Sequence, residues 1–154
     1  MESQIKIPIS GHICIFDRLD FVKYVAYGFS IYKRRGNVPY IQMVRSPYLG
    51  MQFARVLLQP PAELFVDHID GNTLNNVRSN LRLATNSQNQ ANSSRFGNSG
   101  IKGVFKNNGG WSAVIQVDGD RKYLGTWPSK LFAELQYKQA AEKYFGKFSS
   151  HLCR

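Results

Sequence analysis

The chain has 154 residues, 43% of them hydrophobic and 13% aromatic, which is enough for packed cores, so disorder is not the default. Lys and Arg number 20 against 10 Asp and Glu, and a net charge of +10 suits either a polyanionic partner, nucleic acid being the commonest, or a basic protein whose charge only aids solubility. Cys14 and Cys153 form no C-x-x-C pair, which argues against structural zinc, and no apolar run approaches the length of a membrane span. The start, MESQIKIPIS, has no cationic stretch followed by an apolar one, so a reducing, cytoplasmic setting with free thiols is expected. Charge is unevenly spread. Residues 1–60 hold 8 basic and 3 acidic residues, residues 61–97 hold 3 of each, and residues 98–154 hold 9 and 4. A neutral middle between two basic flanks suits a centre that binds a cation beside arms that grip phosphates.

In chain order, residues 1–61 read as a β-rich N-terminal segment. Ile5 to Ile9, His12 to Phe16, Val22 to Tyr32 and Tyr40 to Arg45 are rich in β-branched and aromatic residues, with Gly11, Gly28, Gly36-Asn37 and Pro47 as turns. Lys33-Arg34-Arg35-Gly36-Asn37 reads as a basic hairpin tip, either a solvated turn or a phosphate contact. Met51 to Leu58 suits a short helix stopped by Pro60-Pro61. Residues 62–93 form a second unit. Leu64 to Ile69 is a short strand, Asp70-Gly71-Asn72 a turn, and Leu81 to Ala84 a second strand. Thr85 and Gln88 have the spacing of a capping box, which predicts a helix of about two turns from Asn86 to Ser93. Such a finger is too small for its own core, so it is expected to dock on a neighbour or lean on bound metal.

Residues 94–99 read as a linker, residues 149–154 as a tail, and residues 100–148 as a three-stranded antiparallel sheet packed on one helix. The strands are Ile101 to Lys106, Trp111 to Val117 and Arg121 to Thr126. Ser129 starts the helix, which runs to Phe145, and Gly146 ends it. Trp111, Ala113, Ile115 and Val117 share one face of the middle strand. Ala133, Tyr137, Ala140 and Tyr144 form a small-and-aromatic stripe on the helix, suited to that face. Ser112, Gln116, Arg121 and Tyr123 are left on the outer face, and a three-stranded sheet fits a DNA major groove. The fold class expected is therefore α+β.

The run from Asp67 to Asn92 carries the chemistry. An acidic ligand beside a histidine, with an amide at helical reach, is what metal-assisted phosphodiester hydrolysis needs. His68 can act as a base near neutral pH, Asp67 offers a carboxylate and Asn89 an amide oxygen. Hard oxygen ligands favour Mg²⁺, or Mn²⁺, over Zn²⁺. One anionic protein ligand implies weak metal affinity until substrate completes the site. Asp70 is read as a turn residue, and His12 and His151 as structural or surface histidines.

This run resembles the HNH nuclease family, in the Asn-ending variant of homing endonucleases from phages and introns. Asp67-His68 matches the family's Asp-His pair, Asn80 its middle Asn and Asn89 its last position, within the G-N-x-x-N-N-x-x-x-N-L-R-x-x-T pattern. The resemblance covers residues 64–93 and implies a ββα-metal finger in which Asn80 buttresses the loop that orients His68. Some homing relatives carry a His-Arg pair upstream. Here Ala54-Arg55 stands there, leaving Arg55 as a phosphate contact.

Residues 100–148 resemble the DNA-binding domain of plant Apetala and ethylene-response factors, through I-K-G-V at 101–104, W-S-A-V-I at 111–115, R-K-Y-L-G-T-W at 121–127 and A-E-K-Y-F-G at 141–146. That resemblance places Lys102, Gln116, Arg121 and Tyr123 at DNA. Lys106 and Ser112 are added as expected contacts on the same sheet. Phe105 and Val114 replace charged family positions, so the plant base preference does not carry over.

The expectation is a homing-type, metal-dependent endonuclease on double-stranded DNA. It would leave 3′-hydroxyl and 5′-phosphate ends, nick one strand per active site and act as a monomer or weak homodimer. It would be phage-encoded and cytoplasmic in a bacterial host, with no membrane partner. The alternative is a DNA-binding regulator with an inactive finger.

Overall fold

The computed structural model of the chain describes residues 3–34, 36–92 and 99–153. It is a mixed α and β protein of several small sheets and helices. Two compact units divide it, Met1–Leu83 and Ala84–Arg154. The expected linker lies almost wholly outside the described residues, as do Arg35 of the basic hairpin tip and Ser93 at the expected helix end.

In the first unit, β1 (Gln4–Ile9) and β2 (His12–Asp17) form an antiparallel hairpin. Its two-residue turn places Ser10 and Gly11 at φ 48° and 78°, the mirror-image turn that matches strand twist. The chain then turns into α1 (Arg18–Tyr24), where extended structure was expected from Val22 onwards. The helix was hidden because apolar residues occur on all its sides. Leu19 and Val22 are 84% and 67% exposed while Phe21 and Tyr24 pack inward, so no 3.6-residue stripe stands out. A second hairpin joins β3 (Phe29–Arg34) to β4 (Val38–Met43), and α2 (Phe53–Leu58) ends at left-handed Gln59, just before the two prolines.

β5 (Phe65–His68) pairs with β7 (Leu81–Ala84). Between them the short β6 (Asn75–Asn76) runs parallel to β2, with Ile15 opposite Asn75 and Phe16 opposite Asn76. The N-terminal sheet thereby extends into the loop after His68. One core joins them: Phe16, Ile41, Met43, Phe53 and Val56 are buried in the same cluster as Leu74 and Leu81. An ion pair reinforces it. Arg78 clasps Asp20 of α1 at 2.7 and 2.8 Å, and its backbone N–H donates to the Asp17 carboxylate at 2.8 Å. The N-terminal segment thus anchors the segment from Asn75 to Asn80.

In the second unit, α3 (Asn86–Asn92) begins with the expected capping box. Gln88 N–H donates to Thr85 Oγ1 at 3.2 Å and the Gln88 side chain accepts from Thr85 N–H at 2.9 Å. β8 (Val104–Asn107), β9 (Gly110–Val117) and β10 (Asp120–Trp127) form an antiparallel sheet with β9 central, followed by α4 (Lys130–Phe145). Ala113 and Ile115 of β9 meet Ala133, Tyr137, Ala141 and Phe145 of α4 in the core. The buried stripe thus steps by four residues and takes Ala141 and Phe145. Ala140 only borders it, and Tyr144 is exposed. Among the described residues no helix is long and apolar enough to cross a membrane.

Candidate functional site

Asp67 and His68 are the last two residues of β5, and both are buried, 4% and 6% exposed. Beyond them the chain enters a loop organised around Asp70 and Asn80. The Asp70 carboxylate accepts from Asn72 N–H at 2.8 Å, Asn75 Nδ2 at 2.7 Å and Asn80 Nδ2 at 2.9 Å. Asn80 Nδ2 also donates to the Asn75 carbonyl at 2.8 Å, while its Oδ1 accepts from Asp70 N–H at 3.1 Å. Its backbone carbonyl takes Ile69 N–H at 2.8 Å. One amide side chain therefore ties the start of the loop, immediately after His68, to its end. The three asparagines at 72, 75 and 80 are what a polar loop needs to satisfy its own backbone.

Electrostatics here favour a neutral imidazole. Burial lowers the His68 pKa below the ordinary 6.5, outweighing the Asn76 hydrogen bond and the Asp70 and Asp67 charges, which act to raise it. At Asp70 burial works to raise the pKa, but the hydrogen bonds from Asn75, Asn80 and Asn72 prevail and hold it below the usual carboxylate value. With its oxygens engaged by loop donors, Asp70 serves the turn.

Asp67 faces across the strand pair to Arg82 on β7. Arg82 Nε donates to Asp67 Oδ2 at 2.7 Å, and the two side chains are only 11% and 5% exposed. Sequence reasoning passed over this arginine. Two strands joined by a loop bring positions 67 and 82 side by side, so the pairing of an inward Asp with an inward Arg was the signal available.

Among the described residues no three His, Cys, Asp or Glu side chains gather to hold a metal ion. A divalent ion at this site would rest on the Asp67 carboxylate and neutral oxygens. That donor set fits Mg²⁺ or Mn²⁺, which keep waters and phosphate oxygens as ligands, and does not fit a closed zinc site. Asn89 is half-buried in the middle of α3, in the second unit, its N–H bonded to Thr85 O at 2.9 Å.

The expected DNA contacts divide into outward and inward groups. Arg121, Gln116 and Tyr123 are exposed, and the register places Arg121 opposite Gln116 and Tyr123 opposite Val114 on one outer face. Gln116 also lines a polar recess with Asn86, Ser87 and Gln90. Lys106 is exposed on β8, opposite Trp111. Ser112 shares the outer face in register but is fully buried, its hydroxyl engaged by Asn107 and Thr126. Lys102 reaches the Gln90 and Ala91 carbonyls at the end of α3, where burial lowers its pKa to about 8. It acts there as a cation at a helix C-terminus. Arg55 donates to the Leu64 carbonyl at 3.2 Å and steadies the approach to β5.

Residues 60–91 match the family model described as HNH endonuclease. Over 91 residues the chain is 38% identical to a protein of Acanthamoeba polyphaga mimivirus described as an uncharacterized HNH endonuclease, an alignment covering 58% of this chain and 48% of that protein. The chain therefore spans about half the length of that relative. No solved structure matches it significantly.

Proposed function

We propose that this chain is a metal-dependent endonuclease of the HNH type acting on double-stranded DNA. The observation that carries the reading is the buried Asp67–His68 pair at the end of β5, followed by a loop that Asn80 ties at both ends. It agrees with the family match over residues 60–91.

In this reading His68 takes the proton of a water molecule that attacks phosphorus opposite the 3′ oxygen. The P–O3′ bond breaks, leaving a 5′-phosphate and a 3′-hydroxyl that takes its proton from solvent. Burial keeps the imidazole neutral and able to accept that proton. Asn80 acts through the loop, fixing the backbone beside the ring. Asp67 and, by the family pattern, Asn89 would ligate Mg²⁺ or Mn²⁺. A bound ion would neutralise phosphate charge and stabilise the departing oxygen. The homing role, nicking by a monomer or weak homodimer, and a phage or other viral source belong to the same proposal. The viral relative supports the last of these.

The test is direct. Purified protein incubated with supercoiled and linear DNA should cut in Mg²⁺ and stop when EDTA is added. Protein that binds DNA and leaves it intact across Mg²⁺ and Mn²⁺ would instead be a DNA-binding regulator.

Two further outcomes are expected. The acid limb of kcat/KM should fall below the ordinary imidazole value of 6.5, because the lowered His68 pKa keeps the base neutral further into acid. A pH profile at saturating metal checks this, and a limb above 6.5 would count against it. Arg121→Ala should lower the slope of log K against log[salt] by about one unit and weaken binding to all sequences alike, provided Arg121 contacts a phosphate. Binding titrations from low to moderate salt read that slope.

A further inference from the structure

The Asp67–Arg82 pair bears on when the site can take up metal. A carboxylate this deep is costly to desolvate without a counter-charge, and Arg82 supplies one at 2.7 Å. A guanidinium bonded to one oxygen of a metal ligand also repels a divalent cation approaching the same group, and a buried setting strengthens that repulsion. Asp67 is the one carboxylate assigned to the ion. Asp70, three residues on, has its oxygens engaged by Asn72, Asn75 and Asn80. With Asp67 neutralised by Arg82, the carboxylate assigned to the ion presents little net charge of its own to a cation.

We infer that Arg82 is a built-in counter-cation that keeps Asp67 from loading divalent metal until DNA phosphates arrive. Arg82 is in this sense a regulator of the metal site, not a catalytic residue. DNA tips the balance in two ways: its phosphate oxygens add negative charge and ligands for the ion, and they offer the guanidinium another anion to bind. Free protein then carries little metal, and loading comes after DNA binding. The inference rests on the reading of Asp67 as a metal ligand.

The experiment measures Mn²⁺ alone binding to the full chain without DNA, with free Mn²⁺ read by electron paramagnetic resonance. Arg82→Gln keeps a hydrogen-bond donor beside Asp67 and removes the charge. It should bind Mn²⁺ about tenfold more tightly than wild type, or better. Arg82→Lys keeps the charge and should resemble wild type. The gain should vanish in the Asp67→Asn, Arg82→Gln double variant. Equal or weaker binding by Arg82→Gln overturns the inference and leaves the nuclease reading standing, since cleavage by wild type is scored separately. A gain that survives Asp67→Asn overturns the ligand assignment and the inference together. Breaking a buried pair is destabilising. If Arg82→Gln does not fold without metal, its refolding midpoint in Mn²⁺ reads the same affinity, and failure of Mn²⁺ to refold it overturns the inference.

Discussion

Replacing His68 with alanine is expected to slow DNA cleavage by about 10²–10⁴-fold, the contribution of a positioned base, while leaving DNA affinity within about twofold. The two effects separate because the ring's neighbours do different work. Arg121 and Lys106, expected as DNA contacts, lie elsewhere in the sequence and take no part in the imidazole's role. The loop after β5 should persist without the ring, because it is held by Asn80, Asn75 and Asp70 bonding to one another. The variant should therefore keep its fold, and circular dichroism with a binding titration would establish that. Single-turnover cleavage then isolates the chemical step. Asn80→Ala offers a contrast: it leaves Asp70 N–H, the Asp70 carboxylate and the Asn75 carbonyl each one partner short, so it should lose both stability and rate. A folded, DNA-binding His68→Ala protein that still cuts at the wild-type rate would remove His68 as the base.

Local sequence signals predicted local structure well. The Thr85–Gln88 capping box marked the start of α3, and Gly11 marked the β1–β2 turn, where its φ is 78°. The Asp70 turn was legible because its partners lie within ten residues, whereas the Asn80 tether was expected from the family resemblance. The features that escaped depend on distant partners. Arg78 bonds Asp20, 58 positions away, and β6 joins β2 in parallel, so the way the N-terminal sheet supports the loop left no local trace. Helix α1 escaped because exposed Leu19 and Val22 erase its periodicity. Ser112 and Lys102 show the same limit at the surface. Alternation placed Ser112 on the outer face, yet Asn107 and Thr126 close over its hydroxyl, and Lys102 turns its ammonium to the end of α3. Spacing identifies a face. It does not reveal which neighbours cover it.

Gly103→Ala is expected to destabilise the second unit by about 3–5 kcal/mol, a large share of what a unit of this size possesses. Gly103 sits at φ +66°, where a side chain costs about 1–2 kcal/mol. A methyl group there would also lie 2.1 Å from Tyr137 Cε2 and 2.4 Å from the Val114 carbonyl oxygen. Neither neighbour can retreat. Tyr137 is 4% exposed in the core beneath the sheet, and Val114 lies in central β9 with its N–H bonded to the Gly103 carbonyl at 2.8 Å. Gly119 provides the control. Its φ is +94° but an added Cβ meets nothing within 4 Å, so Gly119→Ala should cost only about 1–2 kcal/mol of backbone strain. Both tryptophans, Trp111 and Trp127, lie in the second unit, so their fluorescence during denaturant unfolding reports on it specifically. The Gly103→Ala midpoint should fall well below that of Gly119→Ala, and DNA binding should fall with it if the sheet face of Gln116, Arg121 and Tyr123 is the contact. Equal midpoints for the two variants would mean that the close approach of Gly103 to Tyr137 and Val114 does not limit stability.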